Sequence, residues 1–244
     1  MWENIDALRK QVDQRRPLQH EFMKTIAQKF REEWTYHSNA IEGNTFTYQE
    51  TAFFLREGLT VKGKSLREHL EIVNHAEAID YLQEGIMERE LTERLIKELH
   101  AILFQGVRNI DFFPGEYKKK DNHVLTVSGN IHHYSSYIQV PLEMELLIQW
   151  YEAEKQQMHP VQLAAMFHHK LVGIHPFIDG NGRVSRLAMN VILMKRGFPP
   201  AIIRNENRQD YYIALEKADH GDPQAIIDMI AAEVTHSLEL ILSV

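Results

Sequence analysis

His175-Pro176-Phe177-Ile178-Asp179-Gly180-Asn181-Gly182-Arg183-Val184-Ser185-Arg186 is the stretch on which the reading of this chain turns. Pro176 disfavours helix at His175, so the apolar segment from Leu163 to Ile174 is predicted to end there. Gly180 and Gly182 permit backbone angles and close approaches that a Cβ would forbid. A helix beginning near Gly182 turns its free N–H groups and positive dipole end toward the loop, which makes an anion site. Arg183 and Arg186, at i and i+3, share a face and add donors suited to phosphate oxygens. Asp179 suits a hard cation, Mg²⁺ or Mn²⁺, held by a few carboxylates and substrate phosphate oxygens. His175 suits removal of a proton from an attacking hydroxyl. Taken singly, a Gly-Asn-Gly turn is most often only a turn, and arginines opening a helix most often meet solvent. The ordered combination reads as a metal-assisted phosphate site with a histidine base.

The chain of 244 residues is 44% hydrophobic and 25% charged, as soluble globular proteins are, and long enough to bury a substantial core. A net charge of -7 argues against a general nucleic-acid binder. With no cysteine, disulfides, thiolate metal sites and thiol nucleophiles are excluded. No apolar run reaches membrane-spanning length, and the first residues lack the blocks of a signal peptide. The expectation is a cytoplasmic protein with neither a nucleic-acid nor a membrane partner.

Working outward, residues 2–37 read as helix, with Ile5, Leu8 and Val12 on one face, then Phe22, Ile26 and Phe30, and Pro17 separating two helices. Glu42 stands before Gly43-Asn44, a helix stop. A carboxylate there is at the unfavourable dipole end and better placed facing a cation. Thr47-x-x-Glu50 and Ser65-x-x-Glu68 have the form of capping boxes, opening helices to about Glu57 and Gln83. Gly58 to Ser65 matches the Walker A pattern, but a helical segment precedes it, where a nucleotide-binding P-loop needs a buried strand. A P-loop NTPase is thus the weaker alternative. Thr92 caps a helix to about Phe104. Val124 to Val127 and Ile131 to Val140 are β-rich about Ser128-Gly129-Asn130, a hairpin between about Val124 and Val140. The adjacent His132 and His133 point to opposite faces of a strand and cannot share a metal. Leu142 to Lys155 and Val161 to Ile174 read as helices, as do segments from Arg208 and from Ala225. His168 and His169 lack the carboxylates of a zinc site. The fold class is all-α: a helical bundle about one central helix, in which Val184, Leu187, Ala188, Val191, Ile192 and Met194 leave little polar circumference. The expected division is 1–85, the N-terminal helices, and 86–244, a core packed with them as one globular unit.

The central stretch resembles the signature of the Fic family, His-x-Phe-x-(Asp/Glu)-Gly-Asn-Gly-Arg-x-x-Arg, at every specified position. The resemblance runs from about Thr35 to the end. Ser38-Asn39-Ala40-Ile41-Glu42-Gly43-Asn44, Gly63-Lys64-Ser65-Leu66, the signature and Arg208-x-x-Tyr211-Tyr212 follow the order of the family's animal endoplasmic-reticulum branch. It implies a Fic fold and transfer of AMP from ATP·Mg²⁺ to a hydroxyl of a target protein. His175 is then the base and Asp179 the metal ligand. Nucleotide contacts come from Asp179, Gly180, Asn181, Gly182, Arg183, Val184, Ser185 and Arg186, and, against the adenine, from Tyr211 and Asp219.

The same resemblance makes the hairpin a flap over the site, with Leu125, Thr126, Val127 and Ser128 holding the target segment. Ser38-x-x-x-Glu42-Gly43 resembles the family's inhibitory motif, whose glutamate pairs with the second signature arginine, here Arg186. His168 takes the place of a structural histidine. The chain departs from relatives at Tyr134-Ser135-Ser136-Tyr137, where many carry prolines, and at Asp219, where a relative has asparagine. Self-modification is expected, the target protein is not specified, and homodimerisation is left open. Two other functions remain open: removal of AMP using Glu42, and a non-catalytic regulatory module.

Overall fold

The computed structural model describes residues 1–15, 20–108, 110–125, 129 and 131–243, the side chains of 20, 21 and 125 aside. Pro17 and the flap residues Thr126, Val127 and Ser128 lie outside them. Ten α-helices, one short 3-10 helix at Asn205–Asn207 and one two-stranded sheet form the regular structure of the described residues. They are α1 (Trp2–Gln14), α2 (His20–Ile41), α3 (Tyr48–Glu57), α4 (Leu66–Gln83), α5 (Glu93–Leu103), β1 (His123–Leu125), β2 (Ile131–His133), α6 (Val140–Glu154), α7 (Pro160–Ile174), α8 (Asn181–Lys195), α9 (Arg208–Asp219) and α10 (Gln224–Leu242).

Local chemistry sets most of these boundaries. Thr47 and Ser65 both form complete capping boxes, with Glu50 and Glu68 returning to the cap backbone, so two free donors at each start are satisfied. Thr92 accepts from the Leu95 N–H. Gly58 closes α3 in the left-handed conformation, which glycine adopts without penalty. These caps dispose of the Walker-like stretch: its first glycine ends a helix, its serine begins another, and Lys64 donates to the Thr45 carbonyl. Among the described residues the sole sheet is the antiparallel hairpin.

The hairpin pairs His123 with His133, Val124 with His132 and Leu125 with Ile131. Its second strand is shorter than the sequence suggested. The chain leaves the ladder after His133, and Val140, expected to end the strand, instead opens α6 with Pro141 in the first turn. Proline has no N–H for a ladder and suits the start of a helix.

The molecule is organised about α8. Val184, Leu187, Ala188, Met189, Val191, Ile192 and Leu193 are all at most 1% exposed; Met194 is only partly buried. Each such large side chain contributes about 1.5–3 kcal/mol relative to exposure. α7 packs along α8, α5, α4 and α2 touch it from other sides, and α1 closes on α10. One core runs from Ile5 to Leu238, through residues of both expected segments. Among the described residues no helix is long and apolar enough to cross a membrane.

Candidate active site

The loop between α7 and α8 is built by constraints from four directions. His175 caps α7 at φ 52°, ψ 59°, with its N–H on the Leu171 carbonyl. It is the one non-glycine residue at positive φ among the described residues, a strain of order 1–3 kcal/mol that persists only where surroundings enforce it. Asn181 fastens the loop, accepting from the Phe177 N–H at 2.9 Å and donating to the Phe177 carbonyl at 2.9 Å. The Phe177 ring lies flat on His100, centroids 3.9 Å apart. Lys118 donates its backbone N–H to Pro176, and His100 Nε2 lies 3.1 Å from the Asp179 carbonyl. Gly180 begins α8 at φ 79°, and a Cβ there would stand 2.6 Å from the Phe104 ring.

The loop and the start of α8 open on a cavity of about 460 Å³. Glu42, His175, Gly182, Arg186, Tyr211 and Asp219, residues far apart in the chain, line it together. His175 Nδ1 lies 3.3 Å from the Val172 carbonyl, which assigns the proton to Nδ1 and leaves Nε2 as the basic nitrogen. Burial, aided by the Lys118 charge, pushes the imidazole down to about 3, so the ring is neutral at physiological pH with the Nε2 lone pair free.

Arg186 is 2% exposed. Its Nε donates to Ser38 Oγ at 3.0 Å, and Nη2 donates to the Ser38 carbonyl at 2.8 Å and to Glu42 Oε1 at 2.7 Å. Nη1 is buried with no acceptor among the described residues. A buried charged donor without a partner calls for an anion, and this one lies 3.0 Å from where a Gly182 Cβ would stand, in the first turn of α8. That arrangement, a helix N-terminus with an unfilled guanidinium donor, fits phosphate oxygens.

Other residues expected in the site stand back from the cavity. Val184 and Ser185 are buried within α8. Arg183 is 3% exposed, its guanidinium over the Phe104 ring and 3.9 Å from Glu71 and 3.8 Å from Asp179. Asp179 receives the Gly180 N–H at 2.6 Å and Arg67 Nη2 at 3.1 Å. No group of three or more His, Asp or Glu side chains arranged for a metal occurs among the described residues. A lone carboxylate does not build a resident metal centre. It does suit Mg²⁺ that arrives on a nucleotide and takes most of its ligands from phosphates and water.

Tyr211 is 1% exposed, its hydroxyl 2.9 Å from His168 Nε2, so it lines the cavity from beneath Arg186. Its neighbour Tyr212 is less buried and also lines the cavity. Asp219 lies between two histidines at the rim, 2.8 Å from His169 Nε2 and 3.6 Å from His132 Nδ1. The histidine pairs therefore diverge: His168 turns inward and His169 to the rim, His132 to Asp219 and His133 across the hairpin to His123. Three contributors were not anticipated as site residues: Arg67 on Asp179, Ser38 on Arg186, and Tyr134, whose ring lies on His175. In the sequence Tyr134 stood out only as part of Tyr134-Ser135-Ser136-Tyr137, the stretch that departs from the family resemblance.

Residues 90–193 match the Fic/DOC family. The chain is 38% identical over 213 residues to the protein adenylyltransferase Fic of Drosophila ananassae, covering 85% of this chain and 41% of that protein. It therefore spans about two fifths of that curated relative's length. A Fic domain containing signalling protein from Bacteroides thetaiotaomicron has the same fold at a TM-score of 0.92 and 33% identity, covering 98% of this chain and 95% of that one. Fic-1 (residues 134–508) from C. elegans superposes at a TM-score of 0.86 with 28% identity, over 99% of this chain and 71% of that one.

Proposed function

This chain belongs to the Fic/DOC family, and from that premise we propose that it transfers AMP from ATP to a hydroxyl side chain of a protein. The observation that carries the proposal is the unfilled Nη1 of Arg186 at the first turn of α8, opening on the same cavity as His175. One feature is an anion site and the other a neutral base.

His175 Nε2 takes the proton of the acceptor hydroxyl as its oxygen bonds to the α-phosphorus. The bond from that phosphorus to the bridging oxygen breaks, and pyrophosphate leaves. Arg186 and the α8 N–H groups neutralise the phosphates, which is most of what such a transfer needs. Asp179 would hold Mg²⁺ or Mn²⁺ brought by ATP, and the metal would supply further charge neutralisation. Tyr211, Tyr212 and Asp219 line the same cavity and would meet the base and ribose. The hairpin of β1 and β2 is the segment beside which a target would be held, with Leu125, Thr126, Val127 and Ser128 as the contacts that the family resemblance implies. Lacking cysteine, the chain is suited to a reducing cytoplasm.

Glu42 restrains the cavity. Its carboxylate takes one face of Arg186, where phosphate oxygens of a productively seated ATP would pair, and carboxylate and phosphate compete for that guanidinium. The reading is therefore an autoinhibited transferase. A second reading rests on Glu42 and His175 sharing one cavity: the carboxylate orients a water that removes AMP from a modified protein.

Incubation of the purified chain and its Glu42→Gly form with α-labelled ATP, Mg²⁺ and cell lysate tests both. The expected product is labelled protein, including the chain itself, with AMP on a Ser, Thr or Tyr by mass spectrometry. Label absent from every protein with both forms would refute AMP transfer; release of AMP from pre-modified protein by the parent would favour the second reading.

A further inference from the structure

Tyr134 is the first residue after β2, and its ring lies on the imidazole of His175 with centroids 3.6 Å apart and planes 14° from parallel. His132 packs edge-on against the same ring at 4.9 Å, and the Lys118 ammonium lies 6.0 Å from its centroid. The chain on either side is tied down. His132 faces Asp219 on α9, Ser135 donates to Glu143 on α6, and the Tyr137 N–H donates to Asp121. Tyr134 is thus delivered to His175 by a segment fixed to two helices and a loop.

The imidazole needs such a contact. Its one hydrogen bond to a described residue, Nδ1 to Val172, is long at 3.3 Å, and a single long bond leaves rotation about χ2 weakly restrained. A flat aromatic cover removes that freedom without touching Nε2, whose lone pair lies in the ring plane. We propose that Tyr134 is a positioning residue for His175, its ring clamping the plane of the base so that Nε2 is presented to the acceptor hydroxyl. This inference rests on the reading of His175 as the base in AMP transfer.

The same geometry rules Tyr134 out as the modified hydroxyl. Face-to-face stacking sets its oxygen off the imidazole plane, away from the lone pair that would take its proton. Burial, with the nearby Asp219 carboxylate, also pushes the phenol up to about 12, so it surrenders a proton reluctantly.

A tyrosine against a histidine is more often simple packing, so the test needs readouts that packing would not move. In the Glu42→Gly background, Tyr134→Phe keeps the ring and Tyr134→Leu keeps apolar bulk without a plane. The expected result is a kcat within about threefold of the parent for Tyr134→Phe. For Tyr134→Leu, kcat falls on the order of a hundredfold, the loss typical of an ångström's misplacement, with the KM for ATP unchanged. Nitrogen-resolved NMR of His175 reads the clamp directly. The Tyr134→Phe protein keeps one tautomer and stays neutral through pH 5, whereas Tyr134→Leu shows mixed tautomers and titrates closer to 6.5, the ordinary histidine value.

A Tyr134→Leu protein with parental kcat and an unaltered His175 spectrum overturns the proposal. So does a Tyr134→Phe protein as impaired as Tyr134→Leu, because the hydroxyl and not the ring would then be acting. If no form transfers AMP but the His175 spectrum changes as described, the clamp stands and the assigned reaction falls.

Discussion

Glu42 and Arg186, 144 residues apart, meet at 2.7 Å over the first turn of α8. Glu42 Oε1 lies 2.3 Å from where a Cβ on Gly182 would stand. The carboxylate is therefore seated in the groove that the glycine leaves open, against the positive end of the central helix. Placing a carboxylate at a helix N-terminus beside a guanidinium is favourable, and on the proposed reading it competes there with a phosphate.

Removing that carboxylate is expected to raise activity. Glu42→Gly should increase AMP transfer, self-modification included, by at least tenfold, since a misaligned phosphate costs on the order of a hundredfold. Adding Arg186→Ala should abolish the gain, because the proposal has the freed guanidinium seat the phosphates. Initial rates with labelled ATP decide it; a Glu42→Gly protein no faster than the parent rejects the inhibitory role.

The two glycines of the loop should respond differently to a methyl group. Gly180→Ala meets both a left-handed backbone, φ 79°, and the Phe104 ring at 2.6 Å, so a loss of roughly 2–4 kcal/mol is expected in denaturant unfolding. Gly182 has an ordinary helical φ, so its alanine strains no backbone. Gly182→Ala should fold normally and displace Glu42, yet show no gain in transfer, because the added Cβ stands 3.0 Å from Arg186 Nη1, in the phosphate space. Nucleotide binding by calorimetry should weaken; parental affinity in Gly182→Ala would show that phosphates lie elsewhere.

His175→Ala should separate chemistry from binding. Loss of a positioned base lowers rate by about 10²–10⁴-fold, while in the proposed mechanism Arg186 and the α8 N–H groups, not His175, hold the phosphates. Turnover should collapse in the Glu42→Gly background with ATP affinity within a few fold of the parent. Unchanged turnover would take His175 out of the mechanism.

Buried histidines give stability a pH dependence of definite sign. Burial pushes His100 down to about 4 and His168 to about 3, and both lie at 0% exposure. Their unfolded values are about 6.5. A base with a lowered folded value binds its proton more readily when unfolded. The native state is therefore favoured fully above pH 6.5 and loses stability as pH falls from 6.5 toward 4 and 3. Each group costs about 1.4 kcal/mol per pH unit in that window. Denaturant midpoints at pH 7.5, 6.5 and 5.5 should show little change in the first step and a clear fall in the second. A midpoint flat to pH 5.5 would contradict it.

Much of this protein was legible without a structure. Thr47, Ser65 and Thr92 begin the helices they were expected to begin, because a cap is decided by residues three positions away. The central helix followed from apolar residues on nearly every side, since such a helix has no stable place except a core. The hairpin was legible only in part: the β-rich run beyond His133 looked like strand, but it leaves the ladder as loop and turn, and Val140 and Pro141 already belong to the start of α6.

The sequence by itself determined the all-α class, most helix starts, and that a histidine, a glycine-rich turn and two arginines follow one another at the α7–α8 junction. These depend on neighbours within a few residues, or on a period along one element. Only the tertiary structure decided which side of α8 each group faces. It put Ser38 on Arg186, turned Arg183 and Asp179 toward Glu71 and Arg67, sank Tyr211 under the guanidinium, and laid Tyr134 on His175, whereas the Glu42–Arg186 contact was already expected from the family resemblance. Those contacts follow from how α2, α4, α7 and α9 pack about the buried helix and how the hairpin is tied to them. That packing balances many small dispersion and burial terms over distant residues, and no local pattern in the chain encodes it.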